Sequence, residues 1–412
     1  MYVFAVCAYI AALFNKKVRK LVKGHFHTFN ILKAKIGPND KVVWFHAASL
    51  GEFEQGRPLM ERLRRTHPEY KILLSFFSPS GYEVRKDYEG ADCVCYMPFD
   101  TWDNARVFVK YSHPEMAIFI KYEFWENYFR HLRKKNIPVY SVSSIFRPSQ
   151  YFFRWYGTAH TLRYVSHFYV QNEESKRLLA NVGIKDNVTV AGDTRFDRVL
   201  DIRRQAKDLP LVEKFVQGGQ SPKTGESNQS TPYVLVAGSS WQPDEDLIIP
   251  YFNAHPELKL VIAPHVISES HLQEIEGKLK RPFLRYTDAT KENVGDVDCL
   301  IVNCFGLLSS IYRYGQIAYV GGGFGVGIHN VPEAAVYGVP VIIGPNNKKF
   351  REAQALLKLG GCIEITDAQS YNTTMNRLLT DKAFLQESGK LAGDYIAKNA
   401  GCADIVFKDI FG

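Results

Sequence analysis

Short apolar runs alternate with stretches of helical spacing along most of the chain. A first series begins with KVVWFH at residue 41, and a second begins with YVLVAGSS at residue 233. Continuous apolar runs of this length are typical of strands buried on both faces of a parallel sheet, and the amphipathic segments between them are typical of helices. The pattern predicts an α/β fold with two doubly wound lobes in tandem, which bind ligands at the carboxyl ends of their strands.

The length of 412 residues is sufficient for two domains. A polar segment rich in Gly, Ser and Pro, without periodicity, separates the two series and predicts a linker or mobile loop. The predicted parts are an N-terminal apolar and basic helix (1–30), a first Rossmann-like lobe (31–215), the linker (216–232), a second Rossmann-like lobe (233–395) and a C-terminal segment that returns to the first lobe (396–412).

The net charge of +8 favours acidic partners such as phosphates, nucleotides or anionic lipid headgroups, and we expect no nucleic acid among them. The 7 cysteines are scattered and include no Cys-x-x-Cys pair, which indicates reduced, structural thiols. The histidines show no zinc-binding spacing, so we expect neither a metal nor another cofactor.

The N-terminus is an apolar run, MYVFAVCAYIAALF, followed by a basic segment that includes Lys16, Lys20 and Lys23. This order is the reverse of a signal peptide, and the run is shorter than the roughly 20 residues that span a bilayer comfortably. The segment is therefore a short anchor, an interfacial helix on anionic lipid, or a buried first helix of the core.

The stretch VGGGFGVGIHNVPEAAVYGVPVIIGP (320–345) places a glycine-rich turn between a strand and a helix start. Glycines allow close backbone approach and a helix N-terminus attracts phosphate, so a nucleotide phosphate cradle is indicated, although any tight turn also uses glycines. Glu333 either stabilises the helix dipole or binds a ribose diol. Asn330 is an expected N-cap, and His329 is either a spacer or a phosphate donor.

Two further strand ends carry candidate acceptor-side residues. In WFHAASLGEFEQG, Glu52 follows a strand and enters a helix, where it either complements the helix dipole or deprotonates an acceptor hydroxyl. The segment IFIKYEFWEN places Glu123 at another strand end. The aromatic and basic block at 146–156 is either core or a lipid-contacting surface.

With these residues in view, the chain resembles the 3-deoxy-manno-octulosonic acid (Kdo) transferases of lipopolysaccharide biosynthesis, which are two-lobed glycosyltransferases of the GT-B type. The resemblance does not depend on any single motif. It depends on the order and spacing of several motifs up to about residue 360. The matching segments are HAASLGE, FFSPSGYE, KYEFWEN, YVQNEES, AGDTRFD and GGGFGVGIHNVPEAAVYGVPVIIGP.

The resemblance implies a role for each matched position. Glu52 would be the general base, Ser49, Gly51, Glu123 and Arg147 would lie on the acceptor side, and Glu333 would bind the ribose of cytidine monophosphate (CMP). The remaining donor-binding positions would be Arg195, Ser239, Ser240, His265, Gly322, Gly323, His329 and Asn330.

The sequence also departs from the family pattern. Pro264 stands where the family has the Arg of Pro-Arg-His, which weakens a phosphate role for that strand end. Asn303 and Leu307 replace two acidic positions, and the arginine of Asn-Ala-Arg-Leu-Ser is displaced to Arg147. These differences indicate a divergent branch that keeps both Glu52 and Glu333.

The resemblance implies an inverting transferase with CMP-Kdo as donor and a lipid A precursor as acceptor, at the cytoplasmic face of the bacterial inner membrane. Alternatives are another two-lobed nucleotide-sugar enzyme, such as a heptosyltransferase or a UDP-sugar epimerase, and a non-catalytic membrane-associated nucleotide-sugar binder. The number of Kdo residues transferred, the acylation state of the acceptor and the oligomeric state stay open.

Overall fold

A computed structural model describes residues 2–154, 157, 159–218 and 232–412. Most of the predicted linker (216–232) lies outside the described residues, as do Trp155 and Tyr156 of the aromatic block. The chain divides into unit 1 (Met1–Arg198 and Asn399–Gly412) and unit 2 (Val199–Lys398), so unit 2 begins before the predicted linker.

Unit 1 contains a seven-stranded sheet in the order β3-β2-β1-β4-β5-β6-β7, and every strand pair is parallel. β2 and β3 follow one another on one side of β1, and β4 to β7 follow one another on its other side. The strand order therefore reverses between β1 and β4. The strands are β1 (Lys41–Ala47), β2 (Tyr70–Phe76), β3 (Cys93–Tyr96), β4 (Met116–Ile120), β5 (Val139–Ser144), β6 (His167–Val170) and β7 (Val188–Val190).

Helices cover both faces of this sheet, which explains the continuous apolar runs. Along β1, Val42 and Trp44 enter one buried cluster, whereas Val43 and Phe45 enter the cluster on the opposite face. The helices are α1 (Tyr2–Phe14), α2 (Lys16–Lys35), α3 (Leu50–Thr66), α4 (Pro79–Arg85), α5 (Trp102–Ser112), α6 (Glu126–Lys134), α7 (Ala159–Leu162), α8 (Glu173–Asn181) and α9 (Thr194–Arg204), which crosses the division between units.

The N-terminal pair of helices leaves apolar side chains exposed. Leu13 is 67% exposed and Phe14 is 86% exposed, and among the described side chains of α1 only Ala12 is buried. The alternative that the N-terminal segment is a buried first helix of the core is therefore wrong for Leu13 and Phe14. The reason is that α1 packs along α2 and leaves its outer face uncovered. No helix within the described residues is long and apolar enough to cross a membrane.

Unit 2 repeats the architecture with a parallel seven-stranded sheet in the order β10-β11-β9-β8-β12-β13-β14. The strand order again reverses beside the first strand of the unit, between β8 and β12. The strands are β8 (Tyr233–Ser240), β9 (Leu258–Pro264), β10 (Phe283–Arg285), β11 (Cys299–Ile301), β12 (Ile317–Val320), β13 (Val341–Ile343) and β14 (Cys362–Glu364).

Helices of unit 2 also pack on both faces of its sheet, which buries strand side chains such as Leu235 and Leu260 completely. The helices are α10 (Pro210–Gln217), α11 (Gln242–Ala254), α12 (Glu269–Lys278), α13 (Leu308–Ile311), α14 (Val331–Ala335), α15 (Arg351–Leu359), α16 (Ala368–Thr380) and α17 (Lys382–Asn399).

The last helix, α18 (Cys402–Phe411), belongs to unit 1 although it follows unit 2 in the chain. It contacts α3, and its Val406 and Phe407 are buried in the same cluster as Phe45. The Asp197 carboxylate accepts hydrogen bonds from the N–H groups of Gly401 (2.7 Å) and Ala403 (3.1 Å), which anchors the start of the helix.

Replacement of Phe407 by alanine should lower the free energy of unfolding by about 3 kcal/mol, because a buried ring is lost and a cavity remains. Urea unfolding followed by circular dichroism measures the change. The control is Ile405→Ala on the exposed face of the same helix, which should change the stability by less than about 0.5 kcal/mol. Equal losses in the two variants would contradict the packing of α18 on unit 1.

Candidate active site

Glu52 occupies the carboxyl edge of the unit 1 sheet, where β1 ends and α3 begins. Ser49 is the N-cap residue of α3 and Glu52 lies in the first turn, so the strand-to-helix connection itself delivers the carboxylate to this edge. The residue is only 7% exposed. The Ser49 hydroxyl donates a hydrogen bond to Glu52 Oε2, and Gly51 lies exposed between the two residues.

A lysine faces the other oxygen of Glu52. Lys121 follows β4 directly, has a positive φ of 70°, and places its Nζ 3.5 Å from Glu52 Oε1. A left-handed backbone at a non-glycine residue is unusual and here turns the chain sharply at the strand end. Sequence reasoning assigned no role to Lys121, although it stands at the carboxyl end of a strand next to Glu123. The pair gives this edge a carboxylate whose charge is balanced by an adjacent cation.

Glu123 lies beside this pair. Its Oε2 accepts a hydrogen bond from Trp125 Nε1 (3.1 Å) and lies 3.9 Å from His46 Nε2. Burial, followed by the charge of Glu52, raises the pKa of Glu123 to about 7, although the Trp125 hydrogen bond and the charge of Lys121 act in the opposite direction. Unit 1 therefore brings together two carboxyl groups with different partners, a serine and a lysine at Glu52 and a tryptophan at Glu123.

Arg147 and Arg195, the two arginines among the predicted site residues, differ in their hydrogen-bond partners. Arg147 is exposed after β5, and its guanidinium makes no hydrogen bond or ion pair with any described residue. Arg195, on α9 in unit 1, donates through Nε and Nη2 to Asp193 Oδ2 (2.9 Å each), and Asp193 also accepts from Gln55 Nε2 (2.8 Å). Their roles toward acceptor and donor stay predictions.

In unit 2, a buried carboxylate organises the glycine-rich turn. Asp244, in the first turn of α11, accepts hydrogen bonds from the N–H groups of Gly322 (2.9 Å) and Trp241 (2.9 Å) and from the Tyr319 hydroxyl (2.7 Å). It is completely buried. Sequence reasoning missed Asp244, although an acidic residue in the first turn of a helix after a strand was visible in SSWQPDED.

Two glycines of the turn are required by geometry. Gly322 has φ 93°, which a side chain disfavours. A Cβ on Gly323 would lie 2.6 Å from the Cα of Gly344, so two backbone segments pass too close for any other residue. The loops that follow β12 and β13 therefore cross each other in close backbone contact at this turn.

Three flat rings stack at the carboxyl edge of unit 2. The rings of Trp241 and His265 lie 4.7 Å apart, and those of His265 and His329 lie 4.5 Å apart. Trp241 Nε1 donates to His329 Nε2 (3.2 Å), and burial followed by the charge of His265 lowers the pKa of His329. Trp241 was also missed by sequence reasoning. The stack offers ring N–H groups and a flat face to a ligand.

Asn330 is the N-cap residue of α14, as expected, but its side chain makes no capping hydrogen bond. Its Nδ2 donates to Glu333 Oε1 (2.6 Å) instead, and no side-chain cap bond forms at α14. The reason is local: Pro332 has no N–H, and the N–H of Glu333 already bonds to the backbone oxygen of Asn330. Asn330 therefore orients the Glu333 carboxylate, and α14 is only five residues long.

The last two residues of β8, Ser239 and Ser240, have different environments. Ser239 has a positive φ of 53°, which lets the chain turn at the strand end. Ser240 is buried and donates its hydroxyl hydrogen to Glu245 Oε1 (2.9 Å), so this hydroxyl supports the fold of the loop. Among the residues that the structure describes, no group of three or more His, Cys, Asp or Glu side chains is arranged to hold a metal ion.

Solved structures share this fold. UDP-GlcNAc 2-epimerase from Neisseria meningitidis superposes with a TM-score of 0.60 at 14% identity, covering 89% of this chain and 98% of that one. MurG from Acinetobacter baumannii gives a TM-score of 0.56 at 11% identity, covering 90% and 99%. At such identities the likeness concerns the fold, which is GT-B with two Rossmann-like units.

Sequence comparison is more specific. Residues 23–198 match the family model described as 3-Deoxy-D-manno-octulosonic-acid transferase (kdotransferase). The 3-deoxy-D-manno-octulosonic acid transferase of Aquifex aeolicus is 27% identical over 86% of this chain and 92% of its own length. The enzyme of the same name from Haemophilus influenzae is 24% identical over 88% and 85%. The family match lies in unit 1 and the relatives extend across both units, so the chain is similar over most of its length to 3-deoxy-D-manno-octulosonic acid transferases, which are glycosyltransferase enzymes.

Proposed function

We propose that this enzyme transfers Kdo from CMP-Kdo, with inversion at the anomeric carbon, to a hydroxyl group of a lipid A precursor (lipid IVA) in lipopolysaccharide core biosynthesis. The observation that carries the proposal is Glu52, a nearly buried carboxylate at the carboxyl edge of unit 1 with a serine on one oxygen and a lysine beside the other. A fixed carboxylate of this kind suits a general base.

The chemistry requires one proton transfer. Glu52 accepts the proton of the acceptor hydroxyl while that oxygen forms a bond to the anomeric carbon of Kdo. The bond from that carbon to the CMP phosphate breaks, and the phosphate oxygen keeps the electron pair. Ser49 and Lys121 hold the two oxygens of Glu52 in place, which limits the reorganisation needed for the transfer.

We assign binding of the nucleotide of the donor to unit 2. The Glu333 carboxylate, oriented by Asn330, is suited to accept hydrogen bonds from a ribose diol. The stacked rings of Trp241, His265 and His329 offer a flat face and ring nitrogens to the nucleotide. Asp244 contributes indirectly, because it holds both Gly322 and the backbone of Trp241.

The proposed location is the cytoplasmic face of the bacterial inner membrane. The exposed apolar side chains of α1 and α2 include Ile10, Leu13, Phe14 and Phe26, and exposed basic residues such as Lys16 and Lys23 lie close to them in the chain. Apolar side chains entering the interface and lysines facing anionic headgroups both favour binding at a membrane surface. This location would bring the enzyme to a lipid acceptor.

Substitution of Glu52 by Gln should lower the transfer rate by about 10²- to 10⁴-fold, because the amide cannot accept the proton. The assay supplies CMP-Kdo generated in place and tetra-acylated lipid A precursor, and mass spectrometry resolves the products. The matched control is Glu61→Gln on the same helix, which should keep wild-type activity. Donor affinity should be unchanged in both variants, and an active Glu52→Gln enzyme would refute the assignment of the base.

Substitution of Glu333 by Gln should weaken CMP binding by about 10- to 100-fold, because a charged acceptor for the ribose hydroxyls is replaced by a neutral one. Isothermal titration calorimetry with CMP measures the affinity. Glu387→Gln, an exposed glutamate of α17, is the control and should bind CMP like the wild type. Equal affinity in all three proteins would remove Glu333 from the nucleotide site.

The double substitution Leu13→Ser with Phe14→Ser should reduce co-sedimentation with vesicles of anionic phosphatidylglycerol by about tenfold or more, because two exposed apolar side chains no longer enter the bilayer interface. The matched control is Leu359→Ser with Ile405→Ser, two exposed apolar residues outside α1 and α2. Unchanged vesicle binding in the first variant, or an equal loss in both, would argue against membrane docking through α1.

A further inference from the structure

The positive charge of the protein is concentrated on three helices of unit 1. Together α2, α5 and α6 carry 12 Lys and Arg residues and only 2 Asp and Glu residues, which is a net charge of +10. The whole chain has a net charge of +8, so the rest of the chain is slightly negative. A local excess of this size favours an anionic partner at the surface that carries it.

The three helices are neighbours on one face of the unit 1 sheet. α2 contacts α5, and α5 contacts α6. Leu32 of α2, Phe108 of α5 and Leu132 of α6 enter the same buried cluster, so the apolar sides of these helices face the sheet. Exposed lysines such as Lys110 and Lys134 lie on the outer surface, which we call the basic face.

The other face of the same sheet has no such excess. The helices α3 and α18 pack there, and together they carry 5 Lys and Arg residues and 5 Asp and Glu residues. Charges on that face also pair between helices, as between Arg62 and Asp404. The excess on the basic face is therefore not a general consequence of covering this sheet with helices.

Most charges of the basic face have no carboxylate partner. Within the part of the chain that the structure describes, ion pairs join only Lys20, Arg106 and Arg130 of this face to a carboxylate. Unpaired like charges on one surface repel each other, and an anion from outside offsets that repulsion. The basic face therefore has charge available for a partner.

Aromatic rings lie between these charges. Lys33 Nζ of α2 and Lys110 Nζ of α5 lie over the same ring, 4.6 Å and 6.0 Å from the centre of Tyr111. Lys134 Nζ of α6 lies 4.4 Å from the centre of the Trp102 ring, and Trp102 is 36% exposed. Tyrosine and tryptophan rings beside lysines suit the interface of a bilayer, where the rings meet the headgroup level and the lysines meet anionic lipid.

The basic face is continuous with two other features of unit 1. Phe14, an exposed apolar residue, ends α1, and α2 begins at Lys16. Trp102 begins α5 after β3, and α6 begins just after Glu123. Helices that follow parallel strands begin at the carboxyl edge of the sheet, so one end of the basic face adjoins the edge that carries the candidate site.

We propose that the basic face is a second membrane-contact surface, on which unit 1 lies against anionic phospholipid with Trp102 and Tyr111 at the level of the headgroups. This inference rests on the proposed location at the membrane and adds a contact area and an orientation to it. The adjacent apolar side chains of α1 favour a bilayer over a nucleic acid, which has no apolar interior to receive them. A bilayer in this orientation presents its lipids at the edge that carries Glu123.

The first test uses substitutions outside α1 and α2. Lys110→Gln with Lys134→Gln should reduce co-sedimentation with phosphatidylglycerol vesicles by about tenfold, because two contacts with anionic headgroups are lost. The matched control is Arg65→Gln with Lys408→Gln, which removes the same charge from exposed positions on α3 and α18 and should bind like the wild type. Wild-type binding should weaken as salt is added and should be weak on phosphatidylcholine vesicles.

The second test locates the bilayer on the protein. Lipids with brominated acyl chains quench tryptophans that reach the bilayer interface, so such lipids in phosphatidylglycerol vesicles should quench part of the wild-type fluorescence. Trp102→Phe should lose that quenched part, because Trp102 lies on the basic face. Trp241→Phe, a substitution in unit 2, should retain it. Unchanged quenching in Trp102→Phe would place the bilayer elsewhere and contradict the proposal.

The outcomes separate this inference from the proposed function. An equal loss of vesicle binding in the Lys110 and Lys134 variant and in its control, or no loss in either, contradicts the basic face. A duplex oligonucleotide that binds more tightly than vesicles, and that the same variant no longer binds, would make nucleic acid the partner and also contradict it.

Transfer assays complete the separation. With acceptor in detergent micelles, the Lys110 and Lys134 variant should transfer Kdo at the wild-type rate, whereas with acceptor in phosphatidylglycerol vesicles it should be slower. An equal loss of rate in micelles would contradict a role confined to docking. If the wild type transfers no Kdo in either medium, the proposed function fails, and co-sedimentation and quenching still decide whether the basic face binds the bilayer.

Discussion

The parallel pairing of β1 with β4 is the constraint on which the candidate site of unit 1 depends. Val43 lies opposite Met116 and His46 lies opposite Phe119, so both strands run in the same direction and end at the same edge of the sheet. Glu52 lies in the first turn of the helix after β1, and Glu123 lies in the loop after β4, so both reach this edge. Residues that are about seventy positions apart in sequence meet because hydrogen bonds between two buried strands fix the register.

The equivalent role in unit 2 belongs to a single carboxylate. Asp244 accepts hydrogen bonds from the helix start, from a strand hydroxyl and from the glycine turn, and thereby ties the start of α11 to the end of β12 and the turn after it, which lie far from α11 in the chain. A buried carboxylate with three donors has its desolvation offset by those bonds. The glycine turn is therefore held in shape by bonds within the protein, which favours preorganised binding over folding around the nucleotide.

The sequence predicted the strands well because buried parallel strands carry a strong signal, a continuous apolar run followed by a polar turn. It also pointed to Glu52 and Glu123, which stand just after a strand, and to Glu333, which stands in the first turn of the helix after the glycine-rich turn. Three features were beyond it. The side-chain bond from Asn330 to Glu333 depends on whether the N–H groups of α14 are already taken. The acidic residue at a helix start is visible in the sequence, but the contacts of Asp244 with Gly322 and of Trp241 with His265 join elements that no local pattern relates.

The return of α18 to unit 1 has a consequence for the order of events on the ribosome. Unit 2 forms an insertion within the chain of unit 1, and the cluster that holds Phe45 and Phe53 is closed by Val406 and Phe407. All of unit 2 is therefore synthesised while unit 1 still lacks part of its core. Unit 1 spends that interval with an uncovered apolar surface along α3, so the nascent chain is most vulnerable to misassociation in the half that it makes first.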